Sequence, residues 1–128
     1  MEDTAKSRVE QILQEALDPK DGSLDLENKN IRSDELKLIM DEFATVKTLY
    51  LSNNRLDDAD MEVLAKAPPG ITSLYLNHNN IGDAGLRALV NSDLAENLTC
   101  LMLEANQIGP EGAENLANSN LKNLETLF

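Results

Sequence analysis

Residues 77–80 read Asn-His-Asn-Asn, three amide side chains around the only histidine, His78, and this is the first place to look for chemistry. An imidazole moves protons near neutral pH, and in nucleophilic work it activates a serine hydroxyl or a cysteine thiol. The one cysteine, Cys100, lies in a different stretch of the chain, so no Cys-His pair is expected. Glycine-rich phosphate loops and the G-x-S-x-G nucleophile turn do not occur. Two acid-rich runs, DPKDGSLDLENKN (18–30) and DDAD (57–60), raise calcium. With Gly22 set as the loop glycine of an EF-hand, Leu17 and Pro19 fall where oxygen ligands belong, so that motif fails. DDAD suits a helix start, where carboxylates meet the dipole and unsatisfied amides. The expectation is therefore no catalytic, cofactor-binding or metal-ligating residue, and no enzyme.

Charge narrows the partners. Over 128 residues, 23 Asp and Glu outweigh 11 Lys and Arg, a formal net charge of −12. Such a chain repels phosphate backbones and anionic lipid, so neither nucleic acid nor membrane is an expected partner. A single cysteine and an N-terminus without a cationic start or a long apolar run point to a cytoplasmic compartment, the chain's own or a host's if it is a secreted effector.

The organisation emerges from internal comparison. VKTLYLSNNRL (46–56) is echoed by ITSLYLNHNNI (71–81) and LTCLMLEANQI (98–108), and LETLF (124–128) opens another copy. Starts at 46, 71, 98 and 124 are spaced 25, 27 and 26 residues apart. Apolar residues recur at the first, fourth, sixth and eleventh places, and asparagine holds the ninth as Asn54, Asn79 and Asn106. This L-x-x-L-x-L-x-x-N-x-L pattern resembles the leucine-rich repeat, and the resemblance runs from about residue 21 to the end. The tails IGDAGLRALV (81–90) and IGPEGAENLA (108–117) look like those of the intracellular, ribonuclease-inhibitor subclass, although these repeats are slightly shorter. A degenerate copy, SLDLENKNIRSDELKLIM (23–40), keeps Leu24, Leu26 and Ile31 but carries Lys29 at the asparagine place.

The resemblance implies an α/β, right-handed solenoid with short parallel strands on the concave side and helices on the convex side. The spacing divides the chain into a capping helix at 1–20, repeats at 21–45, 46–70, 71–97 and 98–123, and the start of another at 124–128. Strand alternation sends Leu49, Leu51, Leu74 and Leu76 inward and Tyr50 and Tyr75 the other way. Stripes of Met61, Leu64 and Ala65, of Leu86, Leu89 and Val90, and of Ala113, Leu116 and Ala117 predict one buried face per helix. Gly82 and Gly109 suit turns, with helices starting at Asp83 and Pro110. Val9, Ile12, Leu13, Ala16 and Leu17 form the apolar face of an N-terminal helix that Pro19 ends and that lids the first repeat.

Amide side chains buried at the bend after each strand can satisfy backbone groups that the turning chain leaves unpaired, so Asn54, Asn79 and Asn106 are expected to form a structural ladder. His78 is then a solvated turn residue. The residues pointing off the concave sheet owe nothing to the core, and they read Asp25, Tyr50, Tyr75, Met102 and Phe128 across the repeats. Ser52, Asn77 and Glu104 stand beside them. Aromatics and methionine rimmed by polar groups match the composition of interface cores, and the other reading of the row is that its aromatics only stack on one another and stabilise the sheet. The expected function is a non-enzymatic module that binds a protein partner through Tyr50, Tyr75, Met102, Glu104, Asn77, Ser52 and Phe128. The alternatives are the recognition or regulatory part of a larger enzyme, bacterial effector or assembly, and a structural repeat that self-associates through an uncapped C-terminal end.

Overall fold

The computed structural model describes residues 4–67, 70–119, 121, 124, 126 and 127. Helix α1 (Thr4–Ala16) is followed by strand β1 (Leu17–Asp18). Repeating units then supply β2 (Ser23–Asp25) with α2 (Ser33–Ile39), β3 (Thr48–Tyr50) with α3 (Asp58–Leu64), β4 (Ser73–Tyr75) with α4 (Asp83–Val90), and β5 (Cys100–Met102) with α5 (Pro110–Ala117). Strand β6 (Thr126–Leu127) comes last. Short 3-10 turns at Met40–Thr45 and Asp93–Asn97 lead back from α2 and α4.

The six strands lie side by side in chain order. β2 to β6 are parallel, while β1 pairs antiparallel with β2 through Leu17 opposite Leu24. Leu17 thus leaves the helix to which its spacing assigned it and extends the sheet by one short edge strand. Equivalent residues stand in register, so Leu24, Leu49, Leu74 and Leu101 form one fully buried row. The next inward leucines, Leu26, Leu51 and Leu76, are equally buried, because a period of two sends both to the same side.

The helices close the other side of the core. Met61 and Leu64 of α3, and Leu86, Leu89 and Val90 of α4, are fully buried, whereas Ala65 is half-buried. In α5 the stripe stays largely open: Leu116 is half-buried and Ala113 and Ala117 are exposed. Beyond α4 no helix lies against α5 among the described residues, so its apolar side is covered from one direction only. At the other end Val9 and Ile12 of α1 are buried against the first repeat, with Leu13, Ala16 and Leu17 partly buried beside them.

Helix starts follow local chemistry. Asp57 caps α3: its carboxylate accepts the Asp60 N–H at 3.1 Å while the Asp60 carboxylate accepts the Asp57 N–H at 3.0 Å, a reciprocal capping box. The acid-rich DDAD run is thereby occupied in starting a helix. Gly82 and Gly109 cap α4 and α5 with φ of −102° and −107°, so left-handed freedom is not what they supply. They supply room for a neighbouring carboxylate, described next.

Candidate functional site

Two hydrogen-bonded ladders hold the repeats together, and they run in opposite directions. The asparagine rungs reach backward. Asn79 donates through Nδ2 to the carbonyls of Leu51, Leu76 and Asn77 and accepts through Oδ1 the N–H groups of Asn54 and Leu56, at 2.9–3.3 Å. Asn54 serves the first repeat in the same way, through Leu26 O, Lys29 N and Ile31 N. Asn106 serves the third, through Leu76 O and Ile81 N. Each rung thus satisfies the turn of the preceding repeat, which explains Lys29: no earlier repeat stands behind it needing an amide. Asn54 and Asn79 are buried, and Asn106 is half-buried.

The second ladder, of aspartates at the helix starts, reaches forward. Asp58 accepts the Gly82 N–H at 2.7 Å, and Asp83 accepts the Gly109 N–H at 2.7 Å. A Cβ on Gly85 would lie 2.4 Å from Asp58 Oδ1, and one on Gly112 would lie 2.4 Å from Asp83 Oδ1. Where the preceding helix carries Ser33 instead of aspartate, the following one carries an acid: Ser33 Oγ donates to Asp60. Sequence reasoning missed Gly85 and Gly112. Their signal was the recurring G-x-x-G in IGDAG and IGPEG, each one repeat after an aspartate in the same place.

The turn between strand and rung is left-handed in each repeat. Asn28, Asn53, His78 and Ala105 occupy equivalent places with φ of 57°, 62°, 57° and 57°. His78 is an exposed turn residue, its N–H bonded to the Glu104 carbonyl at 2.8 Å. Cys100 stands half-buried on the sheet wall, in the same row as Ser73. Among the described residues no three His, Cys, Asp or Glu side chains are grouped to hold a metal ion.

On the wall facing away from the helices, the register aligns Asp25, Tyr50, Tyr75 and Met102. The two tyrosine rings stack at 4.7 Å between centroids and 17° between planes. A hydrogen bond with Cys100 chiefly, then partial burial, then the nearby Cys100 and Tyr50 groups, push the Tyr75 hydroxyl above its ordinary pKa. Tyr50, Tyr75, Met102 and Asn77 are half-buried, and Glu104 is exposed. Ser52 departs from the expectation of an open contact residue. It is buried, because its Oγ accepts the Asn77 N–H at 3.1 Å and is drawn into the framework. Asn77 Oδ1 in turn accepts the Glu104 N–H at 2.8 Å. Phe128 lies outside the described residues.

Parallel strands in chain order, helices behind them and amide rungs at Asn54, Asn79 and Asn106 define an α/β solenoid of stacked repeats. The chain belongs to the leucine-rich repeat family: the family profile described as Leucine Rich repeat matches residues 44–65, 71–90 and 95–117, about half of the sequence. The intracellular, ribonuclease-inhibitor-like subclass fits that match. Among solved structures, the chain is similar to one titled leiomodin-1 actin-binding site 2. The TM-score is 0.72 at 26% identity, over 99% of this chain and 79% of that one. It is also similar in fold to the tropomodulin C-terminal domain of Caenorhabditis elegans. There the TM-score is 0.71 at 11% identity, over 98% of this chain and 81% of that one. No curated protein matches by sequence. No helix among the described residues is long and apolar enough to cross a membrane.

Proposed function

We propose that this chain is a non-enzymatic protein-recognition module whose concave sheet wall binds a protein partner, with Tyr50, Tyr75 and Met102 as anchors and Glu104 and Asn77 at their side. The observation that carries this reading is the stacked tyrosine pair, half-exposed and in line with Met102 on a wall that no helix covers among the described residues. Stacking alone contributes about 0.5–1.5 kcal/mol. That gain would be available on a buried face as well, so it does not account for large rings kept at the surface. Ser52 ties neighbouring repeats together at the wall by accepting the Asn77 N–H.

Actin is the first partner to test, since the similar leiomodin-1 structure is titled as an actin-binding site. Co-sedimentation with filamentous actin compares the intact chain with Tyr50→Ala and Tyr75→Ala. Loss of at least tenfold in affinity with unchanged circular dichroism supports the wall as the binding surface. Capture that is indifferent to both substitutions overturns it. If actin is not bound, cross-linking of the same three chains to proteins of a lysate applies the same criterion, and only a partner lost in both variants counts.

A further inference from the structure

The wall is asymmetric in charge. Tyr50 has one ring face against Tyr75 and turns the other toward β2, where the register puts Asp25 beside it. Asp25 is exposed, and its carboxylate bends to accept the Glu27 N–H at 3.1 Å. Glu27, two residues further along the same wall, is half-buried. Burial first, and the negative charge of Asp25 second, push its carboxyl above its ordinary pKa. Two like charges are thus held together at the edge of an aromatic face. The ion pairs seen among the described residues join Arg8 and Arg32 to Asp34 or Glu35, and none involves Asp25 or Glu27. None of the outward positions of β2 to β5 is lysine or arginine.

We propose that the β2 end of the concave wall is a niche for an arginine side chain, in which Tyr50 offers a ring face and Asp25 and Glu27 the carboxylates, on an extended basic segment of the protein partner. This rests on the concave-wall reading above. Arginine fits better than lysine because a planar guanidinium lies flat on a ring while its edge donates to carboxylates. The same wall carries a further carboxylate, Glu104, after β5. Three strand spacings separate β2 from β5, about 14 Å. A segment crossing the strands at about 3.3 Å per residue therefore brings a second basic residue to Glu104 some four residues after the first. The residues between pass over Tyr75 and Met102, where small apolar side chains fit.

The chain has no tryptophan and its two tyrosines both stand in the stack, so tyrosine emission reports directly on this site. The probe is a blocked five-residue peptide, arginine-alanine-valine-alanine-arginine, and its control carries citrulline for both arginines. At low ionic strength the arginine peptide is expected to change the emission saturably. Affinity is expected to fall at least tenfold with citrulline, and also in the Asp25→Asn, Glu27→Gln double variant, whose near-isosteric changes preserve the Asp25 turn. Glu111→Gln on the helical side serves as a control with unchanged binding. Equal binding of the citrulline peptide, an unaffected double variant, or no saturable change overturns the niche. The two readings fail differently. A partner lost with Tyr75→Ala but retained by the double variant refutes the niche alone, whereas a partner retained by the tyrosine variants refutes the wall itself.

Discussion

Arg8 of α1 forms an ion pair with Glu35 at the start of α2, joining the N-terminal helix to the first repeat. The Glu35 side chain is 0% exposed and Arg8 is 40% exposed. Glu35 Oε1 also accepts the Arg32 N–H at 3.0 Å, and Arg8 donates a second bond to the Lys29 carbonyl. One guanidinium therefore ties the lid to the unladdered turn and to a helix start. Arg8→Ala leaves the buried carboxylate with only the exposed Arg32 guanidinium, 3.6 Å away, and is expected to cost about 2–3 kcal/mol, below the full cost of breaking a buried pair. Urea unfolding measures this, and a loss under about 0.5 kcal/mol, as for a surface pair, refutes it.

Asn79→Ala removes five hydrogen bonds, three to the preceding repeat and two within its own turn. The buried amides and carbonyls left behind cost on the order of 1–3 kcal/mol. Asn106→Ala, at a half-buried rung, is expected to cost less. Thermal melts that rank the two the other way contradict this account.

Gly85→Ala drives a methyl group into Asp58, 2.4 Å from Oδ1 and 2.8 Å from Cα. Because one of those atoms is backbone, rotating the aspartate side chain does not relieve the contact. The expected loss is about 2–3 kcal/mol through overpacking. Gly70→Ala is the control, since nothing lies within 4 Å of its added carbon. Equal melting temperatures for the two variants would remove the close helix approach as the reason for Gly85.

Ala105 holds φ of 57° at a place where two other repeats use asparagine. Left-handed backbone is strained for alanine and tolerated by asparagine. Ala105→Asn is expected to stabilise the fold by about 0.5–1 kcal/mol. A denaturation midpoint that does not rise refutes it.

Tyr75 should ionise above the ordinary tyrosine value of about 10. The proton is held more tightly in the folded chain, so this contribution to stability is complete below about pH 10 and is lost as pH rises through the higher folded value. Absorbance titration near the phenolate band reads it directly. Cys100→Ala removes the principal cause and is expected to move the late ionisation back toward the ordinary value. An unchanged curve sinks the assignment.

Much of this molecule was legible in one dimension. Leucines at the fourth and sixth places of each repeat, asparagines at the ninth and the change to helical spacing after Gly82 and Gly109 are local patterns. Backbone geometry converts them directly into strands, turns and helices. The outward row of Asp25, Tyr50, Tyr75 and Met102 followed from the same period of two.

Stacking decided which neighbour each polar group serves. Asn79 reaches back to Leu51 and Leu56, Asp58 reaches forward to Gly82, Arg8 crosses to Glu35, and Ser52 accepts the Asn77 N–H. These partners stand about one repeat apart in sequence and touch only because the strands lie in register. A residue's own surroundings in the chain specify its conformation, but a hydrogen bond or a close contact needs two groups at one place, and the stacked solenoid alone brings them there.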